Sequence, residues 1–326
     1  MSDSHLLRHR LTLLPGSRLD SALHSFLVER FPELSRNQVK RALENRWIRK
    51  SYSARQDSQA LSPSLKVEAS PLELELEMDW LALEREFLPR ALLPRAQGCA
   101  VEILYEDEHL LVINKPSGMP SAPLHYDEEN TAVHHALAHF PGLPRTHPKE
   151  PGLLHRLDTG TSGCLAFAKT QSSFDFYKSS WKSGQVRKLY LAQIDRPLQE
   201  RPPLEIQLPL GHDCKSSKRM CVVSDRNASR IRGKALPAQT RIVEVHPLDE
   251  GRFEVLIEIT TGVMHQIRAH MAHIGAPLLG DLIYGGTPAE RLMLHAVRLI
   301  LPNRGACRSE ELVVTANWPP SVCTAR

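Results

Sequence analysis

The chain has 326 residues, of which 41% are hydrophobic and 24% are charged, and its formal net charge is +4. These are the figures of an ordinary globular protein, so they argue against a wholly disordered chain, and the mild positive charge permits an anionic partner without requiring one. The six cysteines include no C-x-x-C pair, which predicts a reducing, cytoplasmic environment. No apolar run reaches the length of a signal-peptide core or a membrane span, so we expect a soluble protein.

Two helices are predicted near the start of the chain. Apolar residues recur at helical spacing over residues 18–30, which is typical of an amphipathic helix. A second helix is predicted after Ser35, because Ser35 and Gln38 have the spacing of a capping box. Leu34 and Val39 have the spacing of the hydrophobic staple that accompanies such a cap.

The second predicted helix carries a basic face. Arg36 and Lys40 lie four residues apart with Arg41 close by, and such a face is either merely solvated or in contact with an anion. The segments RLDSALHSFL and LSRNQVKRALENRWI, with a strand-like LKVEA over residues 65–69, resemble the small RNA-binding domain named after ribosomal protein S-four. The resemblance implies that residues 1–70 form such a module, with Arg36, Lys40 and Arg41 directed to an RNA backbone.

A domain boundary is predicted after this module. Residues 68–86 are strongly acidic and are followed by Pro89 and Pro94, which favours a linker over residues 71–98. From residue 99 to residue 326, short apolar runs typical of strands outnumber helical patches. This pattern favours an α+β domain built on a mixed, largely antiparallel sheet. Its helices are predicted over residues 130–139, 171–183, 264–274 and 288–293.

The stretch HRLDTGTSG, residues 155–163, concentrates charged and glycyl residues. Gly160 and Gly163 allow a tight loop, which would hold Asp158 and Arg156 ahead of a strand. Taken alone, the two charges could form an ion pair that staples the loop. Alternatively, Asp158 is a general base, a metal ligand or a covalent nucleophile that the arginine keeps ionised.

A second motif-rich stretch, TTGVMHQIRAHMAHIGAPLLGDLIYGG, covers residues 260–286. Arg268 lies in an early turn of its predicted helix, close to the end at which unpaired N–H groups and the helix dipole favour an anion. Either Asp158 or a phosphate group could fill that role.

Residues 99–318 contain an ordered series of motifs, which are NKPSGMP, HRLD-x-x-TSG, K-x-Y, HQIR, GD-x-x-YG and LHA. The series resembles the RluA-type family of RNA pseudouridine synthases. The resemblance implies the fold of that family and the isomerisation of uridine to pseudouridine in RNA. It implies no cofactor, and the sequence contains neither a dinucleotide-binding nor a P-loop fingerprint.

The resemblance also assigns roles to individual residues. Asp158 matches the catalytic aspartate that attacks the target uridine, and Arg268 matches the arginine that pairs with it. Arg156 matches the arginine that enters the space left by the flipped base. Tyr190 matches the tyrosine that stacks on the uracil and can help to remove its proton, and Leu294 matches an apolar contact to the base.

RNA is the expected partner, and neither a membrane nor an obligate protein partner is implied. Ribosomal RNA is favoured over transfer RNA, because the N-terminal module is common among enzymes of this type that act on ribosomal RNA. The basic segment 209–235 is either a solvated loop or a surface that tracks phosphates, with Lys218 and Arg219 as candidate contacts. Val263 and Met264 replace the arginine and threonine of the family's usual TGRTHQIR, which predicts altered substrate contacts there.

Other interpretations of these motifs stay open. A non-catalytic RNA-binding or RNA-folding protein could use the same scaffold, although the intact set of catalytic residues argues against it. A glycosidase acting on nucleosides would need a second acid, and none accompanies Asp158 in these motifs. Histidines cluster over residues 134–147 and 265–273 but lack the spacing of a zinc motif, so no metal is expected.

Overall fold

The structure, a computed structural model, describes residues 6–29, 31, 34–50, 61–67, 70–79, 83, 101–124, 128–144, 146–216, 218–224, 231–304 and 310–318. The chain divides into two compact units, Met1–Arg90 and Ala91–Arg326. Each unit contains a hydrophobic core of its own.

The smaller unit packs helices against a short antiparallel sheet. Its elements are β1 (Leu6–Leu13), α1 (Leu19–Leu27), α2 (Arg36–Glu44), β2 (Ile48–Lys50) and β3 (Leu72–Asp79). The strands lie in the order β1-β3-β2, and apolar side chains from both helices join the core above the sheet.

The predicted start of α2 is confirmed. The Ser35 hydroxyl accepts a hydrogen bond from the Gln38 amide at 3.3 Å, and the Gln38 side-chain oxygen accepts one from the Ser35 amide at 2.8 Å. These two bonds satisfy N–H groups that the first helical turn leaves unpaired. Val39 and Leu43 are buried on the apolar face of the helix.

The predicted linker over residues 71–98 is wrong for β3. Leu74, Leu76 and Met78 alternate with glutamates along this strand and point into the core, which is the period-two pattern of a half-buried strand. The glutamates within β3 therefore lie on the outer face of a central strand. Within the strand expected at residues 65–69, the described residues 65–67 contain an isolated bridge between Arg18 and Lys66, and residues 68–69 lie outside the described residues. Residues 84–98 lie outside the described residues.

The larger unit contains the remaining strands. They are β4 (Glu102–Glu106), β5 (Leu110–Lys115), β6 (Ser162–Ala168), β7 (Arg187–Ile194), β8 (Leu204–Ile206), β9 (Leu210–Asp213), β10 (Met220–Val222), β11 (Ile231–Leu236), β12 (Thr240–Pro247), β13 (Phe253–Ile259), β14 (Leu294–Pro302) and β15 (Glu311–Thr315). One sheet has the order β4-β5-β6-β14-β7-β13-β12-β8, with β15 beside β14, and a small sheet has the order β10-β9-β11. The pair β6–β14 is parallel, and the other described pairs are antiparallel. The predicted α+β class with a mixed, largely antiparallel sheet is confirmed.

The helices of this unit are α3 (Ala132–His139), α4 (Gln171–Lys182) and α5 (Gln266–His273), with a short 3-10 turn at Asp249–Gly251. The helix predicted over residues 288–293 is wrong. The Met293 amide donates to the Leu279 carbonyl, and the Met293 carbonyl accepts from the Gln193 amide, so the backbone is paired with neighbouring segments instead of with its own turn. Among the described helices, none is long and apolar enough to cross a bilayer.

The main sheet is buried on both faces at its centre. Along β6, Leu165 and Phe167 enter one apolar cluster, while Cys164 and Ala166 enter the cluster on the opposite face. This explains why β6 reads as a continuous apolar run rather than an alternating one. The strand that leads out of HRLDTGTSG is therefore held rigidly in the core.

Gly163 allows β6 to approach β14 closely. Its φ is +109°, and a Cβ atom there would lie 2.3 Å from the carbonyl oxygen of Ala296. Any other residue would clash with backbone and adopt an unfavourable φ. The glycine thus sets the HRLD loop beside the start of β14.

Burial of His295 predicts acid-dependent stability. Its Nδ1 lies 3.0 Å from the Ser162 hydroxyl and its Nε2 faces the Ala316 carbonyl, and burial lowers the pKa of the ring to about 4. An unfolded histidine titrates near its ordinary pKa of about 6.5. Between pH 6.5 and pH 4, the unfolded state therefore binds a proton at this histidine and the native state does not. We expect His295 to reduce the free energy of unfolding by about 2 kcal/mol between pH 7 and pH 5.

The measurement is urea unfolding of wild type and His295→Gln at both pH values. The variant should lose less stability than wild type on acidification, whatever its stability at pH 7. An equal loss in the two proteins would assign the acid sensitivity to other groups.

Candidate active site

A broad cleft of about 1500 Å³ opens on the larger unit. It is lined by the HRLD loop, by β7 and by the segment that leads into α5. Six of the ten residues predicted to be catalytic or to bind RNA line it, namely Arg156, Asp158, Tyr190, Lys218, Arg268 and Leu294. Segments more than a hundred residues apart in the chain thus meet around one cavity.

The NKPSGMP segment supports the loop that carries Asp158. The Gly118 amide donates to the Thr159 carbonyl at 2.8 Å, and the Ser117 hydroxyl donates to the Gly160 carbonyl at 2.8 Å. On the preceding side, the Ser121 hydroxyl donates to the Leu157 carbonyl at 2.7 Å. Asp158 is therefore held at the cleft wall between two backbone anchors.

Arg268 lies between two carboxylates. Its Nη1 donates to Asp158 Oδ2 at 3.1 Å, while Nε and Nη2 form a bidentate pair with Asp281 at 2.7 and 2.8 Å. A bidentate pair fixes the plane of the guanidinium, so Asp281 aims Arg268 at Asp158. Asp281 is the aspartate of the GD-x-x-YG motif, and its role was not predicted from the sequence, although the motif was noted.

His265 and Tyr284 complete the surroundings of Asp158. His265 Nε2 lies 3.7 Å from Asp158 Oδ2, and His265 Nδ1 lies 3.1 Å from the Tyr284 hydroxyl. Burial lowers the pKa of His265, which favours a neutral ring. The sequence placed His265 in a helix, but it precedes α5 with φ +53°, and that conformation turns its ring back toward the loop.

Tyr190 and Leu294 form an apolar part of the cleft wall. Both side chains belong to the main core cluster and are only 6% and 3% exposed. Burial, together with the charge of Asp158, raises the pKa of the Tyr190 hydroxyl, so the phenol stays protonated at neutral pH. The ring can offer a flat surface, but not a phenolate base.

Lys188 of the K-x-Y motif lines the same cavity. It is buried, and burial lowers its pKa to about 8. Its Nζ donates to the Thr261 carbonyl at 2.8 Å, which ties β7 to the segment ahead of α5. The lysine of the K-x-Y motif therefore supports the cleft wall beside Tyr190.

The basic residues named from the sequence lie on both units. Arg156 is exposed and forms an ion pair with Glu150, while Lys218 and Arg219 are exposed in the turn between β9 and β10. Of the residues on α2, Arg36 is exposed, and Lys40 and Arg41 are half-buried. Lys40 lies 3.9 Å from the buried Asp20, so part of this basic face is neutralised within the smaller unit.

Comparison with known proteins shows the family of the chain. Residues 109–273 match the family described as RNA pseudouridylate synthase. The chain belongs to the RNA pseudouridine synthase family. This synthase is 31% identical over 299 residues to ribosomal large subunit pseudouridine synthase D of Zymomonas mobilis, a match that covers 87% of this chain and 85% of that protein. Against the protein of the same name from Pseudomonas aeruginosa it is 30% identical over 273 residues, which cover 84% and 75%.

A solved structure agrees with the sequence relatives. Human RNA pseudouridylate synthase domain containing 1 is 26% identical, superposes with a TM-score of 0.55, and covers 68% of this chain and 86% of its own. The RluA-type resemblance is thereby confirmed. The synthase is an isomerase that acts on RNA.

His270, in the second histidine cluster of the synthase, is held by contacts within the protein. His270 Nδ1 lies 2.8 Å from the Thr240 hydroxyl and its Nε2 lies 2.9 Å from the Leu208 carbonyl, so both ring nitrogens have partners within the protein. Among the described residues, no group of three or more histidine, cysteine or acidic side chains could hold a metal ion.

Proposed function

We propose that this synthase isomerises a uridine of ribosomal RNA, with Asp158 as its nucleophile. The observation that carries the proposal is the placement of the Asp158 carboxylate. It is paired with the buried Arg268 and opens into a cleft whose wall includes Tyr190 and Leu294. A carboxylate held beside a flat apolar surface suits attack on a nucleoside whose base is stacked there.

Uridine and pseudouridine contain the same atoms, so the reaction only rearranges the bonds of the nucleoside. The bond between N1 of uracil and C1′ of the ribose breaks, the base turns, and C5 joins C1′, while a hydrogen is lost from C5 and one is gained at N1. Asp158 attacks C1′ as the bond to N1 breaks, and the carboxylate is released again when C5 joins C1′, so it is regenerated. Arg268 donates to the carboxylate at 3.1 Å and so holds it in position for the attack.

Arg156 suits the role of a wedge in the RNA. A uridine within structured RNA must leave its stack at a cost of a few kcal/mol, and a side chain that fills the gap offsets part of that cost. The ion pair of Arg156 with Glu150 is exposed, and exposed pairs contribute little free energy, about 0 to 1 kcal/mol. The arginine can therefore leave Glu150 when RNA arrives.

Tyr190 and Leu294 are proposed to hold the extruded base. Stacking of a base on an aromatic ring contributes roughly 1 to 3 kcal/mol. Because the Tyr190 hydroxyl stays protonated, we assign the ring to stacking rather than to removal of the C5 proton.

Ribosomal RNA is proposed as the substrate on two grounds. The relatives from Zymomonas and Pseudomonas are named as ribosomal large subunit enzymes. In addition, the segments of the smaller unit that resemble the S-four type module form the helices α1 and α2. Arg36, Lys40 and Arg41 of α2 are proposed to contact the RNA backbone. A cytoplasmic location, where ribosomal RNA would be met, stays a prediction.

Lys218 and Arg219 are proposed to contact phosphates. Each phosphate contact lowers the slope of log affinity against log salt concentration by about 0.7 to 0.9. Lys218→Gln/Arg219→Gln should therefore weaken binding to ribosomal RNA fragments and flatten that slope by about 1.4 to 1.8 in filter-binding titrations. Arg252→Gln/Arg298→Gln is the matched control, since both arginines are exposed and neither lines the cleft. Equal slopes in the two double variants would show that the basic turn, formed by Lys218 and Arg219, does not contact RNA phosphates.

A pseudouridine map tests the proposed function as a whole. Total RNA from cells with and without the gene would be mapped by carbodiimide labelling and reverse transcription, with complementation by wild type. We expect one or more ribosomal uridines to lose modification and to regain it with wild type. A site in transfer RNA would correct the substrate, and no changed site in any RNA would favour the non-catalytic RNA-binding alternative.

A further inference from the structure

The small sheet of β9, β10 and β11 is connected to the Asp158 site by one side chain. Tyr284, of the GD-x-x-YG motif, is 7% exposed and packs in an apolar cluster with Leu210 and Met220 of the small sheet. Its hydroxyl accepts a hydrogen bond from the Met220 amide at 2.9 Å. Met220 directly follows Lys218 and Arg219, the proposed phosphate contacts.

The ring of Tyr284 also lies close to two arginines. The Arg219 guanidinium is 5.5 Å from the ring centroid, and the Arg268 guanidinium is 5.2 Å from it. Cation–π contacts of this kind stabilise both partners. One aromatic side chain therefore touches both the basic turn and the arginine that holds Asp158.

The hydrogen bonds of the Tyr284 hydroxyl favour one tautomer of His265. Because the Tyr284 hydroxyl accepts from Met220, its own proton is available to donate to His265 Nδ1, 3.1 Å away. Burial raises the pKa of Tyr284 to about 12 and lowers that of His265, so the phenol keeps its proton and the imidazole is neutral. A neutral ring that accepts at Nδ1 carries its proton on Nε2.

That proton is directed at Asp158. His265 Nε2 lies 3.7 Å from Asp158 Oδ2, which is longer than a hydrogen bond but short enough for the N–H dipole to favour the carboxylate. The opposite tautomer would turn a lone pair toward the carboxylate and would repel it.

We propose that Tyr284 is a positioning residue that connects the basic turn before β10 to Asp158 through the imidazole of His265. RNA phosphates that bind Lys218 and Arg219 hold the Met220 amide in place, and the two hydrogen bonds of the Tyr284 hydroxyl then keep His265 Nε2–H toward the carboxylate. The proposal rests on the proposed function, in which Asp158 is the nucleophile.

Tyr284→Phe is the decisive variant, because it removes only the hydroxyl and keeps the ring beside Arg219 and Arg268. In single-turnover assays on a large-subunit ribosomal RNA transcript, we expect the rate to fall about three- to tenfold, the effect of one lost hydrogen bond, with RNA affinity changed less than about twofold. Tyr105→Phe is the matched control, since the Tyr105 hydroxyl donates to Asp107 and lies outside the cleft.

The imidazole nitrogens of His265 give a readout that needs no activity. Their ¹⁵N chemical shifts in the free protein should report the Nε2–H tautomer in wild type and in Tyr105→Phe, and a mixture of tautomers in Tyr284→Phe. An unchanged tautomer in Tyr284→Phe would overturn the proposal. This result does not depend on whether Asp158 is the nucleophile, because the shifts are measured without turnover.

Substitutions of His265 test the same connection from its other end. His265→Gln is compared with His265→Leu, because a glutamine amide can donate a hydrogen bond near the position of Nε2 and a leucine side chain cannot. We expect His265→Gln to keep a higher rate than His265→Leu, and Tyr284→Phe to have little further effect in the His265→Leu background. Additive losses in the double variant would show that the two residues act separately, and would contradict the proposal.

Discussion

Asp158→Asn is expected to abolish pseudouridine formation while leaving the fold in place. Loss of a catalytic nucleophile typically lowers a rate by on the order of 10⁴- to 10⁶-fold. The substitution is nearly isosteric, and Arg268 keeps its bidentate partner Asp281. The free energy of unfolding should therefore change by about 1 kcal/mol or less. Single-turnover assays on ribosomal RNA and urea unfolding measure the two effects.

A matched variant separates the loss of a nucleophile from the loss of a charge. Asp175 is an exposed aspartate on α4, so Asp175→Asn removes the same charge away from the cleft and should keep the wild-type rate. Binding of Asp158→Asn to RNA should stay within about a few-fold of wild type, because the proposed wedge and the proposed phosphate contacts are unchanged. Turnover by Asp158→Asn near the wild-type rate would remove Asp158 from its proposed role.

The sequence predicted those elements that local rules determine. The capping box at Ser35 and the apolar periodicity of α1 are local patterns, and both helices form. The composition of residues 72–79, in which glutamates dominate, predicts a linker. Their alternation with Leu74, Leu76 and Met78 is the better indicator, since a central strand can expose one charged face.

The site was predicted as a set of residues but not as an arrangement. Motifs identified Asp158 and Arg268, yet no spacing could indicate that Asp281 would take two of the three donor contacts of Arg268. Nor could a helical pattern indicate that His265 would adopt φ +53° ahead of α5. Both features depend on contacts between distant segments, which periodicity and propensity do not contain.

Arg268 is expected to be essential for stability as well as for activity. Asp281 is 1% exposed, and its described contacts with Arg268 are bidentate. Arg268→Gln would leave the Asp281 carboxylate buried without a cation, which typically costs about 3 to 5 kcal/mol. It would also release Asp158 from its position, and a misplacement of about 1 Å can lower a rate by about 10²-fold.

A second substitution distinguishes the two effects. Arg268→Gln/Asp281→Asn removes the uncompensated charge and replaces it with a neutral amide pair, so most of the lost stability should return. The rate should not return with it, because Asp158 still lacks its cation. Urea unfolding and single-turnover assays on the two variants and on Asp281→Asn form a double-mutant cycle. Recovery of both properties together would mean that Arg268 serves the fold alone, whereas recovery of stability without turnover assigns it to the orientation of Asp158.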